Sequence, residues 1–156
     1  MSFIGTLIGS ILRPLLERHV KNRAPETLVA ALENSQSEVA DRLRQAADTE
    51  RNRDVANHIV GIERSSQRRL RSALGEPPLQ DGYRGYRLPE TATLDDLRHA
   101  FDTTRQDTLH LAQALQTNDV DFETKIRHND LGALSVRAWL AYLDGHAKRE
   151  STRLSK

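Results

Sequence analysis

The chemistry this chain could perform is concentrated in a few side chains near its C-terminal end. Read at helical spacing, Val136, Trp139, Leu140, Leu143, His146, Glu150 and Leu154 fall three or four residues apart. An apolar stripe therefore runs into an imidazole and a carboxylate on one helix face. Burying an ionised carboxylate without a partner is costly, so a metal, a cation or a hydrogen-bond partner is expected opposite. Spaced i and i+4, His146 and Glu150 can reach one ion from successive turns. A histidine from another helix would complete a three-ligand set that leaves positions open on Zn, Ni, Mn or Fe(II). His58 fits that place, because it lies beside Val55, Ile59 and Ile62 on a second helical stripe. His19, His99, His110 and His128 compete less well: His110 misses its own helix's stripe, and His128 falls in a connection. An inward histidine is more often a hydrogen-bonded core residue than a ligand. Spacing alone leaves both readings open.

The elements that must hold these residues can be read from periodicity. Pro25 at a first helical position opens a helix whose stripe is Leu28, Leu32, Val39 and Leu43, reaching about Asp48. A second runs from about Glu50 to Leu74, with Val55, Ile59, Ile62, Ser66 and Leu70 inward, and stops at Gly75 before Pro77 and Pro78. Residues 76–92 form one long irregular segment, in which prolines and glycines alternate with Tyr83, Arg84, Tyr86 and Arg87. Thr93 and Asp96 have the spacing of a capping box for a third helix, with Leu94, Leu97, Phe101, Thr108, Leu111 and Leu115 inward, fading at 117–119. Ser135 is the expected N-cap of the last helix. Between the third and last helices no strand-like alternation of useful length is legible. The prediction is an all-α, four-helix-bundle domain over 24–156, whose long second connection lets the second and third helices run parallel.

Ahead of it, the chain's most apolar run occupies residues 1–16, with Arg13 and Pro14 interrupting it. This fits neither a signal peptide nor a bilayer span. We read residues 1–23 as an amphipathic helix, with Phe3, Ile4, Leu7, Ile8, Ile11, Leu12, Leu15 and Leu16 recurring at helical spacing. It packs on its own domain or on a second subunit, or else meets a membrane surface.

Composition narrows the classes. The 156 residues carry 23 Lys+Arg against 22 Asp+Glu, a formal charge of +1, which argues against a nucleic-acid partner. There is no cysteine, so no disulfide and no thiolate ligand, in keeping with a cytoplasmic protein. One Trp, three Tyr and three Phe leave the core to Leu, Ile, Val and Ala, a helix-bundle palette.

The segments Asn57–Glu63 and Leu131–His146, together with the tyrosine-containing loop, resemble the DinB superfamily of damage-inducible, YfiT-like four-helix proteins over about residues 24–154. The resemblance implies a divalent metal, Zn or Ni, with Mn or Fe as alternatives, held at one end of the bundle. It places one ligand at His58 and a His-x-x-x-His pair at His146 and position 150, where this chain has Glu150. The glutamine that often follows in the family corresponds to Arg153. Glu150 can ligate through oxygen, or it can pair with Arg153 and leave a degenerate site. The implied activity is thiol S-transfer with a low-molecular-weight thiol, or hydrolysis of a small molecule. Tyr83, Arg84 and Tyr86 are candidate loop contacts and Glu63 a candidate base; no cofactor-binding residue beyond the metal ligands is expected. The competing expectation is a non-catalytic bundle whose N-terminal helix serves a homodimer or another protein.

Overall fold

The structure, a computed structural model, describes residues 3–79 and 81–156, with side chains from residue 11 onward. The side chains of Phe3, Ile4, Leu7 and Ile8, part of the expected N-terminal stripe, lie outside the described residues. The elements are α1 (Phe3–Val20), α2 (Pro25–Gln45), α3 (Glu50–Leu70), α4 (Leu94–Thr117), the strands β1 (Lys125–His128) and β2 (Gly132–Ser135), and α5 (Val136–Ser151). Short 3-10 turns occupy Arg71–Leu74 and Tyr83–Tyr86. No described helix is long and apolar enough to cross a membrane.

Local chemistry sets the ends. α2 stops at Gln45, before the expected Asp48, because Ala46 is already extended and Ala47 is captured by Ser155 O and Asn52 Nδ2. α3 starts where the Thr49 hydroxyl accepts from Asn52 N. Its last turn tightens into the 3-10 turn because Gly75, at φ 94°, bonds back to Arg71 and Ser72. Thr93 and Asp96 do form the capping box, and Ser135 accepts from Ala138 N.

α2 and α3 each pack against both α4 and α5. Glu63 meets Arg105 and Gln67 meets Thr108, so α3 and α4 run parallel, as the long connection allows. His58 meets His146 and Asn52 meets Ser155, so α5 returns antiparallel along α3. α1 lies on α5 and β2, burying Val20 and seating Glu17 on Ser135 N and Oγ.

The core divides into two apolar clusters. One gathers Leu28, Leu32, Leu111, Trp139 and Leu143; the other gathers Val39, Leu43, Ile59, Leu97 and Phe101. Between them, in sequence order on each of α2, α3 and α4, lies a polar layer. Arg105 is fully buried, forks onto both oxygens of Glu63 at 2.7 and 2.9 Å, and donates to Leu32 O and Ser35 Oγ. Thr108 donates to Glu63 at 2.7 Å. With its hydrogen bonds filled this layer is tolerated in the core and fixes how the helices register. Glu63 is thereby a structural residue, and its candidacy as a base falls away.

The hairpin is an addition to the expected helices. β1 and β2 pair antiparallel with Ile126 opposite Leu134, both inward. Each strand offers too few residues for a period-two pattern to stand out in sequence. The turn is held by Gly132 at φ 80° and by His128, whose Nδ1 accepts from Asp130 N and Leu131 N at 3.1 Å each. Trp139 Nε1 donates to Ile126 O and docks the hairpin on α5.

Candidate metal centre

Because α3 and α5 lie antiparallel, His58 and His146 meet across the seam with their Nε2 atoms 3.2 Å apart. Glu150, one turn beyond His146, completes the group: one ligand atom from each of the three residues lies within 4.8 Å of the others. The spacing suits an ion. Two nitrogens at the usual Zn–N bond length stand roughly 3.4 Å apart at a tetrahedral angle and roughly 3.0 Å apart at a right angle. The observed separation falls between, so the two imidazole nitrogens are spaced for one divalent cation, with the Glu150 carboxylate within 4.8 Å of both. The structure thus brings together the three residues that the sequence singled out.

Both imidazoles are held neutral, the form that ligates metal. Burial pushes His146 down to about 3, with the neighbouring His58 adding to the effect. Burial also lowers His58, although Glu150 pulls the other way. For Glu150, burial acts to raise the pKa, but the Arg153 hydrogen bond, His146 and Arg149 outweigh it, and the carboxylate stays below its ordinary value. Arg153 donates to Glu150 Oε2 at 2.6 Å and Arg149 reaches Oε1 at 3.3 Å. Among the described residues neither histidine Nδ1 has a hydrogen-bond partner, so packing orients the rings. Tyr83 stands edge-on to His58 at 5.0 Å, and Tyr142 lies against His146 at 5.5 Å.

The three donors border a cavity of about 240 Å³ between α3 and α5. Its walls are the irregular segment and the hairpin tip, and α3 holds both. Arg69, 3% exposed, donates to Arg127 O, Asp81 O and Asn129 Oδ1. Asn57 pairs its amide with Leu88, accepting from N and donating to O. Gly61 allows the closest approach: a Cβ there would stand 2.8 Å from Arg87 Cγ and 3.3 Å from Tyr83 O. These contacts put Tyr83 over His58. Its expected companions do not reach the site: Arg84 is exposed, and Tyr86 donates to Asp81.

His128, set aside in the sequence because it falls in a connection, lines the cavity. It packs against Trp139, tilted at a centroid distance of 5.0 Å, and edge-on against Tyr142 at 4.8 Å, and burial lowers it to about 4. The available signal was the polar stretch His128-Asn129-Asp130 followed by Leu131-Gly132, a turn composition between two short runs. Tyr142 also lines the cavity, its hydroxyl pushed up to about 12 by burial. Of the remaining histidines, His110 and His99 are exposed on α4, away from the site.

The arrangement is that of a small, walled chamber with two neutral imidazoles and one anionic carboxylate at its side. Compared with protein-family models, with curated proteins and with solved structures, the chain matches none.

Proposed function

We propose that α2–α5 form a DinB-like four-helix bundle that holds a divalent metal, Zn or Ni, or else Mn or Fe, on His58, His146 and Glu150, and that it acts in the cytoplasm as a thiol S-transferase or hydrolase on small molecules. The observation that carries this reading is the convergence of three donors from two helices, with the imidazole nitrogens 3.2 Å apart, beside a chamber. A divalent ion held by His58, His146 and Glu150 would supply Lewis acidity, the chemistry that lowers the pKa of a bound water or thiol toward neutral pH. The chain's own part is preparation. Burial keeps both imidazoles unprotonated, so proton competition is weak at neutral pH. Glu150 supplies the compensating negative charge, and Arg69 holds the cavity wall by binding Asp81 and Asn129.

A second reading is favoured by a different observation. Ile11, Leu12 and Leu15 on α1 are 59, 45 and 54% exposed, an apolar face of the kind that a homodimer or partner protein covers. In that version the Glu150–Arg153 pair marks a degenerate site, and the protein works by association.

Elemental analysis of untagged protein, reconstituted with Zn, Ni and Mn, separates the two. Near one ion per chain in the wild type and little in His146→Ala supports the metal centre. No ion in either moves the function to association through α1.

A further inference from the structure

The cavity beside the three donors is continuous in its lining with a second, larger groove of about 590 Å³ between α1 and α5. His128, Asp130, Tyr142, His146 and Arg149 border both. Away from that junction the groove is mainly apolar, walled by Leu12, Leu15 and Leu16 of α1, by Leu131, and by Ala141 of α5, with His19 of α1 the one polar side chain among the described lining residues there.

Its floor contains Gly145, in the interior of α5. Neither backbone nor packing demands glycine there: its φ is not in the left-handed range, and a Cβ would meet nothing within 4 Å. A mid-helix glycine sacrifices stability relative to alanine. An unobstructed groove floor accounts for it. From Ala141 to Arg149 this floor runs about 12 Å at the usual helical rise, enough for an alkyl chain of roughly eight carbons.

At the junction stands a hydrogen-bond donor that the fold leaves unused. His128 Nδ1 accepts two backbone N–H groups, which puts the ring proton on Nε2. Among the described residues Nε2 has no partner, and it is not among the buried polar atoms left without one, so it is open to the space the ring borders. Arg149, paired with Glu150 Oε1 at 3.3 Å but with its side chain 67% exposed, adds a cation at the same place, and Asp130 is the other acidic residue among the described lining. With a divalent ion bound, and Arg153 counted, the junction carries net positive charge.

The geometry points to an amphiphilic acid as the ligand: a carboxylate head received at the junction by His128 Nε2–H and Arg149 beside the metal centre, and an apolar body of medium-chain length lying over Gly145 between α1 and α5. This rests on the metal-centre reading for the head and on the groove alone for the body.

The test is calorimetric titration with linear alkanoates from acetate to decanoate, on Zn-loaded and metal-free protein in parallel. On Zn-loaded protein Kd is expected to fall about three- to fourfold per methylene, levelling off near octanoate. Gly145→Leu should flatten that dependence while leaving acetate affinity and ion stoichiometry unchanged. His128→Asn, whose side-chain oxygen can still accept the turn's N–H groups, should weaken every member by about fivefold to tenfold and keep the slope. A flat series on wild-type protein, or a slope that survives Gly145→Leu, overturns the inference. A flat series together with a dimer that dissociates on Leu15→Glu assigns the face to a second copy and overturns it equally. If no ion binds but metal-free protein shows the slope, the groove stands and the metal centre falls.

Discussion

Acid should destabilise this protein through His146, and by an amount the structure sets. In the unfolded chain the imidazole titrates near 6.5; in the folded protein burial lowers it to about 3. The unfolded state therefore binds more protons throughout that window, so stability rises with pH across it. The contribution is complete above about 6.5, erodes as pH falls, and levels below about 3. Between pH 7.5 and 5.0 this single group removes about 2 kcal/mol. His128, lowered to about 4 by burial, removes about 2 kcal/mol more over the same interval. Urea unfolding in chelator at the two pH values measures the sum. His146→Leu is the informative variant, because leucine keeps an apolar body between Leu143 and Ala147 and cannot titrate. The wild type should lose about 2 kcal/mol more than the variant on acidification. Equal losses would mean that His146 takes up protons in the folded state as readily as in the unfolded one, and the buried, neutral pair would be refuted.

The remaining expectations concern the elements around that pair. Glu63→Gln leaves the Arg105 cation without a counter-charge in the core, and should cost about 3–5 kcal/mol in urea unfolding. Glu63→Met combined with Arg105→Leu should cost less than that single change; the reverse order would show that the layer's charge is not what matters. Gly61→Ala gains helix propensity of about 1 kcal/mol but presses on Arg87 and the Tyr83 carbonyl, so net stability should change little. Its effect should appear instead as faster amide exchange across 83–88, and unchanged exchange would sink the idea that Gly61 seats the wall. Replacing Glu150 by His together with Arg153 by Gln should keep one ion per chain while raising the Zn-to-Mn affinity ratio by on the order of tenfold, since an oxygen donor has been exchanged for nitrogen. An unchanged ratio, measured by competition, would place Glu150 outside the coordination sphere.

What could be read from the chain divides by the range of the interactions concerned. Leu28, Leu32, Val39 and Leu43, or Leu94 through Leu115, announce helices because every turn repeats the same choice, and the Thr93–Asp96 box is complete within four residues. Arg105 defeats that reading by its type and not by its position: it falls on the inward stripe, four residues after Phe101 and three before Thr108, and a cation is tolerated there because Glu63, Ser35 and the Leu32 carbonyl arrive from two other helices. The hairpin escapes for a related reason. Ile126 and Leu134 are its one buried apolar pair, and what recruits them is Trp139 and the Leu70–Leu143 cluster. His58, His146 and Glu150 were legible because each lies on a helical stripe; His128 was not, because its place depends on the hairpin turning back over α5.

Glu150 is the point at which the DinB-like reading and the ion-pair reading look most opposed, and the geometry reduces the opposition. A carboxylate has about four lone-pair positions, and ligating carboxylates are commonly hydrogen-bonded on their second oxygen. Arg153 holds Oε2, while Oε1 has only the longer 3.3 Å contact with Arg149, whose side chain is largely exposed. One oxygen can therefore face the imidazole pair while the other keeps its arginine. The charges also balance. A neutral histidine followed by a neutral glutamine, which the resemblance would place at positions 150 and 153, carries the same net charge as glutamate followed by arginine. The two departures are spaced i and i+3, touch each other, and cancel. The Glu150–Arg153 pair is neutral as a unit, so the arginine bond and a ligand role for Glu150 are compatible in this geometry.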